Sequence, residues 1–142
     1  MWGAQDKTKE YLKTQVQTAS REQLILMLYD GAIRFIRQGQ DALAAGNLEV
    51  SCDKFLRAQK IVLELKAGLR PEADAALCSN VGSIYNYIYR RLIDANIQRS
   101  GEAATEALHL LDYQRQTWVL LMDKLAGRTP SSPAPVAVDV AG

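Results

Sequence analysis

Between residues 21 and 126, apolar side chains return every three or four positions, the spacing that places them on one face of an α-helix. Four such stretches follow one another. The first runs over about 21–45, with Leu24, Leu28, Ala32 and Phe35 on one face, widened by Ile25, Tyr29 and Ile36; Arg34, Arg37, Gln38 and Asp41 fall elsewhere. Ser20 is placed to cap it, and Gln23 three residues on completes a capping-box pattern. Gly46-Asn47 closes this helix, and Asn47 caps the next. The second stretch, about 48–69, carries Phe55, Ala58, Ile61, Val62, Leu65 and Leu69, with Asp53, Arg57, Lys60 and Glu64 paired weakly on the far side. Arg70-Pro71 interrupts the pattern, because proline disfavours helical backbone in the residue before it.

The third stretch, about 72–98, has a tidy stripe of Leu77, Val81, Ile84, Ile88, Leu92 and Ala95. It also carries Tyr85, Tyr87, Tyr89, Ile93 and Ile97, which cannot all share that face. The fourth, about 101–126, holds Ala104, Leu108, Leu111, Trp118, Leu121, Met122 and Leu125, and ends at Gly127. Helices of this length joined by short connections pack as antiparallel neighbours. The pattern therefore predicts an all-α fold: an up-down-up-down antiparallel four-helix bundle over residues 20–126. Residues 1–19 read as an extended arm with apolar anchors at Tyr11, Leu12 and Val16. Such anchors are rare in arms that stay in water, so this one is expected to dock. Residues 127–142 hold three of the four prolines and read as a disordered tail.

Composition narrows the function. Seventeen Lys+Arg against sixteen Asp+Glu give a net charge of +1, which argues against nucleic acid as the main partner. No apolar run is long enough for a membrane span, and residues 1–10 contain no signal-peptide apolar region. Cys52 and Cys78 lack metal-site spacing and read as free, packed thiols, which suits the cytosol.

Chemistry is sparse. Glu106-Ala-Leu-His109 has the spacing used by di-iron bundles, but such a site needs a second copy and further carboxylates, and His109 is the one histidine. The same shortage removes paired-histidine zinc chemistry, and the scattered glycines form no phosphate loop. Arg90-Arg91 beside three tyrosines could suggest base stacking; solvated arginines flanking a core edge is the plainer reading. No metal, cofactor or catalytic group is expected. What stands out is the overloaded third helix. Tyrosine offers a flat apolar ring with a polar tip, and a set of them beyond the core stripe implies a partly exposed apolar groove, the usual mark of a partner site.

Several runs carry a family resemblance: Tyr11 followed by Val16-Gln-Thr-Ala-Ser20; Met27-Leu-Tyr-Asp-Gly-Ala-Ile33; Ala58-Gln-Lys-Ile-Val-Leu-Glu-Leu65; Ile84-Tyr-Asn-Tyr-Ile88 with Arg91-Leu92 and Ala95-Asn96. Over about residues 11–126 the chain resembles the flagellar secretion chaperones of the FliS family. Where many relatives have proline after Thr-Ala-Ser, this chain has Arg21, which weakens the helix start slightly. The resemblance implies a cytosolic, non-enzymatic helical bundle that binds the C-terminal region of flagellin, prevents premature polymerisation and assists delivery to the flagellar type III secretion apparatus. It implies that the bound segment wraps the bundle, partly as helices in apolar grooves, and that the arm tyrosine, Tyr11 here, occupies part of that surface when flagellin is absent. The expected groove residues are Leu28, Tyr29, Gly31, Tyr85, Tyr87, Ile88, Tyr89 and Ile93, with Gly31 giving room for close approach; Tyr11, Leu12 and Val16 act from the arm. Two other readings remain beside it: a ferritin-like metal enzyme, which the single histidine opposes, and a regulator that binds a non-flagellin partner in the same groove. Contacts with export-apparatus and regulatory flagellar proteins, the choice between monomer and arm-exchanged dimer, and the role of the tail stay open.

Overall fold

The computed structural model describes residues 7–14 and 19–127, and these are all helical apart from short connections. Residues 7–14 form a short helix, α1. Four long helices follow: α2 (Arg21–Ala44), α3 (Leu48–Ala67), α4 (Ala75–Ile97) and α5 (Gly101–Leu125). Each long helix packs on its chain neighbours, and α5 returns to α2, so the four enclose one core.

The helix starts are set by side-chain caps. Ser20 and Gln23 form the expected capping box, and the Asn47, Asp74 and Ser100 side chains each accept a backbone N–H three residues on. The third long helix begins at Ala75 rather than near 72, because residues 71–73 make a turn and Asp74 holds the first free N–H groups through Leu77. Gly46 turns the chain between α2 and α3 with φ +77°, a backbone conformation that glycine adopts at no steric cost.

Cross-helix contacts give the directions. Gly39 of α2 meets Phe55 of α3, and Gly31 meets Ile61, so these two helices run antiparallel. Trp118 Nε1 donates to the Glu22 carbonyl oxygen at 3.0 Å, and Gln40 Nε2 donates to Thr105 Oγ1 at 3.1 Å, which runs α5 antiparallel to α2. An Arg115–Asp30 ion pair lies between them at 2.5 Å.

The core centres on Phe55, Ile36, Ile88, Leu92, Leu111 and Val62, all fully buried. Ala103, Ala104 and Ala107 are as deeply buried, and their small side chains let α5 approach its neighbours closely. Gly39 does the same between α2 and α3: a Cβ there would lie 2.6 Å from Cε1 of Phe55. Tyr29 and Tyr85 face each other across the core, their hydroxyls joined by a buried hydrogen bond. Burial pushes both phenols above their ordinary values, since a buried phenolate would lose its hydration.

Several expectations are corrected. The arm is not extended where it is described: residues 7–14 are helical, consistent with a run that lacks glycine and proline. Tyr11 and Leu12 are exposed, Tyr11 to 67%, and so are not docked; Val16 lies outside the described residues. Residues 128–142, which hold nearly all of the expected tail, also lie outside them. Leu77 and Leu125, expected in the core, are 57% and 72% exposed, because each sits at the end of its helix, where the facing layers run out.

Two outcomes follow from this packing. Gly39→Ala gains helix propensity but drives a methyl group into the Phe55 ring, and overpacking should win, with a net loss of about 1–2 kcal/mol in denaturant unfolding. Adding Phe55→Leu in the Gly39→Ala background should cost less than it does in the parent. Tyr85→Phe leaves the Tyr29 hydroxyl buried without its partner and should cost about 1–2 kcal/mol, while Tyr29→Phe/Tyr85→Phe should cost less than the two single changes summed. The raised phenol values make the pair's contribution complete below about pH 10 and lost as pH rises through the folded-state values. Alkaline titration of unfolding free energy should therefore fall less steeply in the double variant.

Candidate functional site

The residues expected to line one groove divide among three environments. Tyr29, Gly31, Tyr85 and Ile88 are buried. The first and third close the core through their hydroxyls, and Ile88 has no exposed surface. Gly31 gives close approach as expected, but within the molecule: Cδ1 of Ile61 lies 3.2 Å from where a Cβ would be. Leu28 and Tyr89 are half-buried against the core, and Ile93 is half-buried as well. Tyr87 is exposed.

Tyr87 and Tyr89 also point to different neighbours, as residues two apart on a helix must. Tyr87 faces α5, where its hydroxyl donates to Glu106 Oε1 at 2.7 Å. The same oxygen accepts from Arg91 Nε at 2.6 Å, and Arg91 Nη1 donates to Asp94 Oδ2 at 3.0 Å. These bonds form a polar clasp between α4 and α5. The Tyr87 hydrogen bond holds the Glu106 carboxyl below its ordinary value, with Arg91 adding to it against a desolvation cost. Glu106 is thus committed to structure, and its E-x-x-H partner His109 is exposed. Among the described residues no group of three His, Cys, Asp or Glu side chains is placed to hold a metal ion, and no helix is long and apolar enough to cross a membrane.

Tyr89 and Ile93 belong to the opposite edge of α4, beside α3. Two contacts fix the register there. Asn96 Nδ2 donates to Cys52 Sγ at 3.4 Å, and Lys66 Nζ donates to Asn86 Oδ1 at 2.8 Å. Helices running antiparallel between those points bring Leu56 level with Ile93 and Leu63 level with Tyr89. Leu56 and Leu63 are seven residues apart, two turns on one edge of α3. They are 46% and 47% exposed. The α3/α4 face therefore carries an apolar strip of Leu56, Leu63, Tyr89 and Ile93, bounded at its ends by amide-bearing side chains. Sequence reasoning missed the two leucines because they fall off the core stripe of Phe55, Val62 and Leu65; that offset, with the two-turn repeat, was the available signal.

What this face offers is partly exposed apolar surface with hydrogen-bonding groups at its ends.

Comparison with known proteins agrees with the resemblance drawn from the motifs. Residues 4–125 match the family model for the flagellar protein FliS. The flagellar secretion chaperone FliS of Bacillus subtilis (strain 168) is 34% identical over 109 residues, which cover 76% of this chain and 80% of that protein. The flagellar secretion chaperone FliS of Salmonella typhimurium is 31% identical over 114 residues, covering 80% of this chain and 84% of that protein. The matched residues take in all four long helices, and with them both the core and the α3/α4 strip, so the chain belongs to the FliS family of flagellar proteins.

Proposed function

We propose that this chain is a cytoplasmic flagellar export chaperone, without enzymatic activity, that binds the C-terminal region of flagellin, holds it back from premature polymerisation and assists its delivery to the flagellar type III secretion apparatus. The relatives' names as flagellar secretion chaperones support the export role. Flagellin as the cargo follows from the family resemblance. The working unit is a four-helix bundle over residues 20–126, preceded by an arm and followed by a tail.

The observation that carries the reading is the α3/α4 strip. Leu56 and Leu63 keep roughly half of their surface in water on one edge of α3, two turns apart and beside the half-buried Tyr89 and Ile93 of α4. An amphipathic helix repeating an apolar residue every three or four positions would cover both leucines together with Tyr89 and Ile93. The cost of ordering a disordered cargo segment offsets part of this gain, which keeps the complex releasable. Leu28, on α2, is too far around the bundle to share this strip, and any part it plays would be in a second contact made by a wrapping segment. Tyr87 would take part through the α4/α5 clasp.

Calorimetric titration with a flagellin C-terminal segment, followed by circular dichroism, tests the proposal. Binding with a gain in helicity is expected. Leu56→Lys and Leu63→Lys should each weaken it at least about tenfold. Both positions keep about half of their surface in water, so unfolding free energy should fall by no more than about 1.5 kcal/mol. Unchanged affinity in both variants would remove the strip from the mechanism. The arm gives a second test. With Tyr11 in solvent, a docked and competing arm is a minor population, so Tyr11→Ala should change cargo affinity by less than about twofold. A several-fold tightening would show an arm that blocks the face.

The clasp predicts a pH effect. Because the Glu106 carboxyl is held below its ordinary value, its contribution is present above that value and is lost as pH falls through the folded-state value. Acid titration should release Tyr87, read as a shift of its ring resonances that Glu106→Gln largely abolishes.

A further inference from the structure

A different face, between α2 and α3, gathers cations around one ring. The Arg34 guanidinium lies 5.4 Å from the centroid of Phe35, the Lys54 ammonium 5.6 Å, and the Arg57 guanidinium 5.9 Å. Each is within reach of the negative face of the ring, which offsets part of their mutual repulsion. One of the three has a counter-charge: Arg57 Nε pairs with Asp53 Oδ2 at 2.9 Å. Among the described residues Arg34 and Lys54 pair with no carboxylate. Whole-chain charge does not explain the gathering, since seventeen basic residues are balanced by sixteen acidic ones.

Local packing keeps the cations at the surface. Gly31 is one turn before Phe35, and Nη2 of Arg34 lies 3.9 Å from where its Cβ would be, so the guanidinium lies along the glycine backbone beside Ile61, whose Cδ1 is 3.2 Å from the same point. Phe35 is half-buried, its inner edge packed against the core. Val50, at 38% exposure, adds apolar surface on the same edge of α3. Lys54 is on the edge of α3 opposite Leu63, about half a turn of helix away. The cationic patch and the apolar strip thus face different directions, and one occupant need not displace the other.

We propose that the Arg34–Phe35–Lys54–Arg57 patch is a second docking site, one that takes an acidic peptide segment of a partner protein other than the cargo. Carboxylates would satisfy Arg34 and Lys54, with an apolar side chain of the segment over Phe35 and Val50. A nucleic acid is the poorer fit, because tracking a phosphate backbone needs a continued basic groove, and this cluster is confined to a single ring.

The test uses the full chain and an octaglutamate peptide, with octalysine as the control, followed by backbone and aromatic resonance perturbation. The expected result is perturbation centred on Arg34, Phe35, Lys54 and Arg57 with octaglutamate and none with octalysine, fading as salt rises from about 0.05 M to about 0.5 M. Arg34→Glu/Lys54→Glu should weaken binding at least about tenfold. Arg90→Glu, on the exposed side of α4, should leave it unchanged. Helicity by circular dichroism checks that both variants fold, and Arg34→Ala/Lys54→Ala serves as the milder pair should the reversal not fold. The same titration with a flagellin C-terminal segment already bound should give the same perturbations, so that failure of either site is seen separately. No perturbation at the four residues, an equal loss in Arg90→Glu, or tighter occupation of the patch by a single-stranded oligonucleotide would overturn the proposal.

Discussion

The ring of Phe55 rests where the backbone of α2 carries no side chain. Gly39 leaves that space, and any added carbon would meet the ring at 2.6 Å. Interiors are packed nearly as densely as organic crystals, so a contact this close fixes both the spacing and the register of two helices. Gly31 and Ile61 repeat the arrangement two turns along. With α2 and α3 locked together, the inner edge of α3 is committed to Phe55, Ala58, Val62 and Leu65. Its outer edges then face either α4 or solvent. Leu56 and Leu63 are left only half covered on one side, and Lys54 and Arg57 are left at the surface on the other.

The α2/α4 diagonal is closed differently. Tyr29 and Tyr85 bring polar hydroxyls into the core and satisfy one with the other. A buried hydroxyl without a partner costs more than the bond itself contributes, so the pair rewards one relative placement of α2 and α4. Together with the glycine–phenylalanine contact, it makes the interior a closed unit. On the proposed reading, a cargo segment would cover surface rather than open a core, the property a reversible chaperone needs.

The helices were legible because their signals are local. Ser20 with Gln23, Asn47 and the three- and four-residue apolar repeat each specify structure within a few residues, and all reappear. The pattern after Pro71 does not reveal the start of α4, because it is fixed by the Asp74 side chain, which accepts the Leu77 N–H after a turn over residues 71–73. The site was less legible. Periodicity alone does not say which of Tyr85, Tyr87 and Tyr89 faces inward; that depends on partners distant in sequence, Tyr29 for one and Glu106 for another. Gly39 gave no sign of its role, since the residue that demands it is sixteen positions away. Leu56 and Leu63 carry a weak signal because they fit neither the core stripe nor the charged face.

The central claim is that cargo covers the outer α3/α4 strip while the interior stays closed. Methyl-resolved nuclear magnetic resonance of the chain, with and without a flagellin C-terminal segment, addresses it most directly. The account predicts large shifts and intermolecular contacts at the methyl groups of Leu56, Leu63 and Ile93, with those of Val62, Ile88 and Leu111 little changed. Contacts confined to other faces, or large changes at the three buried residues, would contradict it.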